Sequence, residues 1–309
     1  GVRDVGFEQL VQQIDTGPIH VGERVRVFFD GDEATIVDSG YVTHAEQTVA
    51  LVRHVLDGRR LSRIVNTHSH SDHIGGNAAL KTAFDCQIVV PGGLAATVAE
   101  WDEDALLLSP LGQQSARFSH DATLRAGDRL EMGGLVWEAI AAPGHDMEAL
   151  VYYNPERRIL ISGDAFWQNG FGVAFPELLG QADGLAATRA TLEHLATLAV
   201  DWVIPGHGSP FQDVGEAFAK AFGKLAHFEA NLDHLAWHAI KVIVSFAIME
   251  RRSLARDEVA PFLAGLTFAN EVNARYLRLS AEDLATRVVR DLLAVGALRR
   301  RDGGVLVPA

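Results

Sequence analysis

A chain of 309 residues with 48% hydrophobic and 22% charged residues is long and apolar enough to bury one large core, with room for a small appended unit. Its formal net charge of −13 repels polyanions over most of the surface, which speaks against nucleic acid and membrane as partners and for a small-molecule substrate. The single cysteine, Cys86, excludes an internal disulfide and reads as a buried thiol in a reducing compartment.

The start GVRDVGFEQL is charged and lacks an apolar h-region, so a cytoplasmic protein is expected. Two β-branched and aromatic runs between residues 25 and 40, joined at Asp30-Gly31-Asp32, predict a hairpin. Residues 44–57 carry apolar side chains at helical spacing and stop at Gly58; a helix is predicted. The run LSRIVNTH at 61–68 predicts a strand whose C-terminal end opens into a loop, the kind of position that carries function. The alternation continues with a helix near 75–84, a strand at 87–90 and a helix near 93–101. Residues 102–120 are less regular and read as an inserted loop or lid. Residues 124–145 and 149–164 predict two pairs of strands with turns at Gly127-Asp128, Gly133-Gly134 and Asn154-Pro155. A helix near 183–198 leads to a strand at 201–208.

From about residue 213 the pattern becomes mostly helical. The apolar stretch at 235–249, interrupted by His238 and Lys241, is too short to cross about 30 Å of hydrocarbon and reads as a buried helix. Ser280 followed by Asp283 resembles a capping box, and Leu284, Val288, Leu292 and Leu293 give an amphipathic helix. The segment ALRRRDGGVLV after it reads as a hairpin, and helix followed by hairpin is the ending of a winged helix. Two domains are therefore expected, 1–215 and 216–309.

The chemistry concentrates in THSHSDHIGG, residues 67–76. In extended backbone His68 and His70 point the same way and one metal can take both, while Asp72 and His73 lie where the chain turns and face a second ion. Imidazole and carboxylate are the donor set expected for zinc. Three more ligand types, His145 in APGHD, Asp164 in ISGDAF and His207 in IPGHG, each follow an apolar strand and are preceded by glycine, which allows close approach or a positive φ. The remaining histidines, His20, His44, His54, His120, His194, His227, His234 and His238, stand singly and read as surface or packing residues. Phe166 and Trp167, directly after Asp164, are candidates for an apolar substrate pocket.

Through HSHSDH, PGH, SGD and PGH in that order, residues 15–215 resemble the metallo-β-lactamase superfamily. The resemblance implies an α+β, αββα four-layer sandwich, here with a small helical, winged-helix-like C-terminal domain. It implies that His68, His70 and His145 hold a first divalent ion and Asp72, His73 and His207 a second, with Asp164 bridging them. Zinc is the metal expected, iron or manganese the alternatives. All seven positions are filled, as in the binuclear hydrolase branch typified by glyoxalase II. True β-lactamases of the superfamily lack the bridging aspartate, so antibiotic hydrolysis is disfavoured, and DMEAL after His145 departs from many relatives.

The expected activity is metal-dependent hydrolysis of an ester-like bond, a thioester or lactone, in a small molecule. A hydroxide bridging the two ions attacks a carbonyl, and catalytic Asp72 orients it through its free oxygen. The competing readings are a β-lactamase-like nuclease or phosphodiesterase, and a sulfur dioxygenase with one iron at the first site. Residues 251–303 carry ten arginines against seven acidic residues; the RRRDGG turn could touch phosphate, but solvated surface or a homodimer contact is the reading preferred.

Overall fold

The computed structural model describes residues 11–15, 24–181 and 183–309; His20 lies outside them. Strands β1 (Val11–Asp15), β2 (Arg24–Asp30), β3 (Glu33–Val37), β4 (Arg60–Val65), β5 (Gln87–Pro91) and β6 (Ala122–Leu124) form one six-stranded sheet in chain order. β7 (Arg129–Met132), β8 (Leu135–Ala141), β9 (Leu150–Asn154), β10 (Ile159–Gly163) and β11 (Trp202–Pro205) form a second sheet in the order β11-β10-β9-β8-β7. The predicted hairpin is β2–β3, antiparallel, and the strands that follow in the first sheet, β4, β5 and β6, run parallel to β3.

Side chains of a strand alternate between faces, and here the alternation builds four layers. Val37, Val65 and Val89 of the first sheet meet Trp137, Tyr152, Ile161 and Ile204 of the second in a core between the sheets. Their neighbours Ile36, Ile64 and Ile88 turn outward under helices α1 (Ala45–Leu56), α3 (Asn77–Phe84) and α4 (Ala95–Glu100). On the other side Val151, Leu160 and Val203 turn outward under α7 (Gly184–Leu195) and the C-terminal helices. Trp137 fills the intersheet core, edge-on to Phe28 at 5.5 Å, and its indole N–H donates to the Met132 carbonyl at 3.0 Å. Truncating so large a buried ring costs about 3–5 kcal/mol.

Residues 102–120 are less open than a lid. Around the short α5 (Leu108–Leu111), Leu106, Leu108, Leu111 and Phe118 are buried, and the backbone N–H of Gln114 donates to Glu250 at 3.2 Å. Four apolar anchors fix the segment as a wall. Cys86 is buried, and burial pushes its thiol up to about 11, which makes it inert.

The C-terminal third consists of α8 (Val214–Ala230), α9 (Leu232–Arg251), α10 (Val259–Ala264), α11 (Thr267–Val272) and α12 (Ala281–Ala294), with a small sheet of β12 (Leu254–Ala255), β14 (Val305–Pro308) and β13 (Leu298–Arg300). Ser280 caps α12 by accepting from the Asp283 N–H at 3.1 Å, and β13–β14 is the antiparallel hairpin expected after it. Among the described residues α9 is the one helix long and apolar enough to cross a membrane, because it runs past the 235–249 stretch at both ends and so exceeds the length expected from the sequence; half of its apolar window is buried in the fold. Its buried face, with Ile240, Val244 and Ile248, shares a continuous core with Val151 and Leu160 of the second sheet.

Candidate metal centre

Five loops reach one edge of the sandwich, each leaving the C-terminal end of a strand. Asp38 follows β3, residues 66–76 follow β4, His145 follows β8, Asp164 follows β10 and His207 follows β11. After β4 the chain bends at Thr67, passes through His70 in extended conformation and then makes a single turn, α2 (Ser71–Ile74), that carries Asp72 and His73. His68, His70, Asp72, His73, Asp164 and His207 are buried, and His145 is partly buried.

The side chains gather in two sets, linked by a third group of His68, His73 and Asp164. Ligand atoms of His68, His70 and His145 lie within 4.8 Å of one another, and so do those of Asp72, His73 and His207. His70 Nδ1 and His145 Nε2 are 2.7 Å apart, and His207 Nε2 is 3.1 Å from Asp72 Oδ2. Asp164 stands between the sets: Oδ1 is 3.4 Å from His73 Nε2, while Oδ2 is 3.4 Å from both His145 Nε2 and His207 Nε2. The two glycines beside this aspartate are required by space and dihedral. Gly163 has φ of +47°, and a methyl at Gly206 would lie 2.3 Å from Asp164 Oδ1.

Hydrogen bonds around the cluster fix which ring nitrogen faces inward. A carboxylate only accepts, so His73 Nδ1–H donates to Asp38 Oδ2 at 2.8 Å and Nε2 is left for the centre. The Thr67 hydroxyl donates to the same Asp38 oxygen at 2.8 Å and so accepts from His68 Nδ1–H at 3.0 Å. His145 Nδ1–H donates to the Val173 carbonyl at 2.6 Å. Such outer partners orient ligands and set the tautomer. Buried Arg26 donates to the Pro205 carbonyl at 3.0 Å and steadies the turn that carries His207.

The electrostatics divide the same way. Burial drives His68 well below its ordinary range and brings His70 and His145 down to about 4, so this trio is neutral imidazole. Burial also opposes charge on His73 and His207, but the Asp72 and Asp164 carboxylates beside them win and raise both, His207 to about 10. Two buried carboxylates demand positive charge, supplied by protons on these rings or by a cation that displaces them. His68 Nε2 and His73 Nε2 are buried without a hydrogen-bond partner, a cost that a coordinated cation removes. The donor set and the orphaned nitrogens fit divalent metal ions.

Trp167 lies against the cluster, 5.2 Å from the His207 ring, and its indole N–H is shared between the Gly163 carbonyl and Asp164 Oδ1 at 3.2 and 3.3 Å. Phe166, its neighbour in the sequence-derived pocket, turns the other way: fully buried, it stacks on Phe218 at 4.1 Å. Of the two aromatic residues only Trp167 lines the cavity above the cluster, together with Gln168 and Asn169 that follow it. That cavity has a volume of about 570 Å³. Its wall includes His238, expected to be a surface or packing residue, and Gln113 from the 102–120 segment. Burial and the nearby Lys224 and Lys241 lower His238 to about 3. His120 does not line it. Asp38 was absent from the sequence-derived ligand shell, although its position at a strand end before Ser-Gly repeats the pattern of the other loops.

An αββα sandwich with histidines and aspartates gathered at one edge defines a metallo-hydrolase-type fold. The chain belongs to the metallo-beta-lactamase superfamily, whose family model matches residues 25–207. It is 30% identical over 115 residues to a hydroxyacylglutathione hydrolase of Hyphomonas neptunium, covering 37% of this chain and 38% of that protein. It is 33% identical over 134 residues to a protein of the same name from Rhodospirillum rubrum, covering 43% and 45%. The matches thus span less than half the length of these curated relatives. The crystal structure of a beta-lactamase domain protein from Burkholderia ambifaria superposes with a TM-score of 0.58 at 23% identity, over 99% of this chain and 94% of that one, which is a likeness of fold that includes the C-terminal helices.

Proposed function

We propose that the protein is a metal-dependent hydrolase that cleaves a thioester or related ester-like bond in a small molecule. The observation that carries this reading is the position of Asp164, whose carboxylate faces both histidine sets at 3.4 Å. His68, His70 and His145 would hold one divalent ion, Asp72, His73 and His207 a second, with Asp164 shared; nitrogen-rich sets completed by carboxylate are those zinc favours. Bound there, such ions supply Lewis acidity toward a carbonyl and make water nucleophilic near neutral pH.

The chain's own groups do the rest. Asp72 directs Oδ2 toward His207, so its other oxygen is free to accept a proton from water at the cluster. Trp167 clamps Asp164 through its N–H and closes one side of the cavity. In the overall reaction the acyl–sulfur bond breaks, water's oxygen joins the acyl carbon and one water proton ends on the departing sulfur. The relatives named hydroxyacylglutathione hydrolase support a thioester. The buried lone thiol of Cys86 suits the cytoplasm. Residues 1–215 form the catalytic unit in this reading. Residues 216–309 form a winged-helix-type unit, supported by α12 and the β13–β14 hairpin.

Elemental analysis of protein purified without added metal tests this directly, alongside paired thioester and phosphodiester assays. About two zinc ions per chain and a thioesterase activity abolished by chelator are expected. One iron per chain, or cleavage of the phosphodiester alone, would overturn the reading.

A further inference from the structure

The cavity above the metal centre is walled mostly by carbon. Val242, Phe246 and Met249 of α9 lie on its wall, and their spacing of three to four residues makes them one stripe. Leu292 of α12 and Leu298 of β13 also lie on the wall. The middle of the stripe meets the cluster, where the Phe246 ring lies edge-on to the His207 imidazole at 5.7 Å. Among the described residues that line the cavity, Lys241 is the single lysine or arginine. It precedes Phe246 by five residues, which places it about 7.5 Å farther along the helix axis. Gln113, Gln168, Asn169, Ser209 and Ser245 also line the cavity, but a hydroxyl on an acyl group laid along Val242, Phe246 and Leu292 would face carbon, and a substrate with several carboxylates would find one cation.

We propose that the acyl half of the substrate is apolar, an aliphatic or aryl acid of roughly six to ten carbons, seated along Val242, Phe246 and Leu292. Such a chain fits the 570 Å³ and leaves room for the leaving thiol and for water at about 30 Å³ a molecule. The inference rests on the hydrolase reading and adds the substrate class. Each methylene buried along the stripe favours the longer acyl group by roughly fourfold.

The experiment uses one neutral thiol, N-acetylcysteamine, carrying acetyl, lactoyl or octanoyl groups, with the metal-loaded full chain. The octanoyl ester is expected to exceed both others in kcat/KM by at least about 30-fold. Val242→Glu and Leu292→Gln, made separately so that one folding failure does not end the test, are each expected to cut the octanoyl-to-acetyl ratio at least about tenfold. As a readout independent of turnover, octanoate is expected to raise the Tm of the wild type more than lactate does, and to lose that advantage in both variants. Equal or better turnover of the acetyl or lactoyl ester overturns the inference and leaves the hydrolase reading standing. Failure to cleave any of the three overturns the thioesterase reading and this proposal with it.

Discussion

Asp38 takes His73 Nδ1–H on one oxygen and, through the Thr67 hydroxyl, reaches His68 on the same oxygen. One carboxylate therefore orients a ring in each histidine set. Its φ of +57°, uncommon for a residue with a side chain, follows from bending the chain off β3 to make these contacts. Asp38→Asn is expected to weaken metal affinity by about 10–100-fold, read by competition with a chromophoric chelator; unchanged affinity would show that the histidines orient themselves. Glu250 is a different case. Burial raises its carboxyl to about 7 from 4.5, against the pull of the Gln114 N–H. The folded state thus holds a proton that the unfolded chain releases. This contribution is complete below pH 4.5 and is lost as pH rises to about 7, worth up to about 3 kcal/mol. Urea unfolding of Glu250→Gln beside the wild type should show the variant gaining relative stability from pH 5 to pH 7 and no further gain at pH 8. Parallel pH profiles would contradict this.

At the scale of elements, period-two runs made the strands legible, because each inner strand buries both faces under different neighbours. Ile36 and Val37, Ile64 and Val65, Ile88 and Val89 divide between two cores. The one-turn α2 was not legible: four residues cannot show a helical period, yet that turn brings the His73 ring back to within 4.0 Å of the His68 ring and carries Asp72 toward His207. Similarly, β6 joins the first sheet while β7 joins the second, so the turn at Gly127 carries the chain between sheets, which local pattern does not reveal. The cap of α12 was readable from Ser280 and Asp283. Ser280→Ala should cost about 1 kcal/mol in urea unfolding and leave metal content unchanged; a loss of metal would mean that α12 positions the centre as well as walling the cavity.

Over the whole molecule, the C-terminal helices do two jobs with one set of side chains. Their inner face completes the core that the second sheet opens with Val151, Leu160 and Val203, and their edge walls the cavity above the ligand cluster. Ending the chain after residue 213 should therefore expose a large apolar face and give aggregated protein in size-exclusion chromatography. A monodisperse fragment that still binds metal would show the two units to be independent.

The sequence by itself picked out the seven histidine and aspartate side chains and the strand ends that carry them, because these depend on residue type and short-range periodicity; the four-layer sandwich was expected from the family resemblance. Tertiary structure alone decided that Asp38 orients both histidine sets, that Phe166 enters the core while Trp167 faces the cavity, and that His238 joins its wall. Those outcomes depend on which way neighbouring side chains turn and on contacts across tens to hundreds of residues, and no local pattern encodes either.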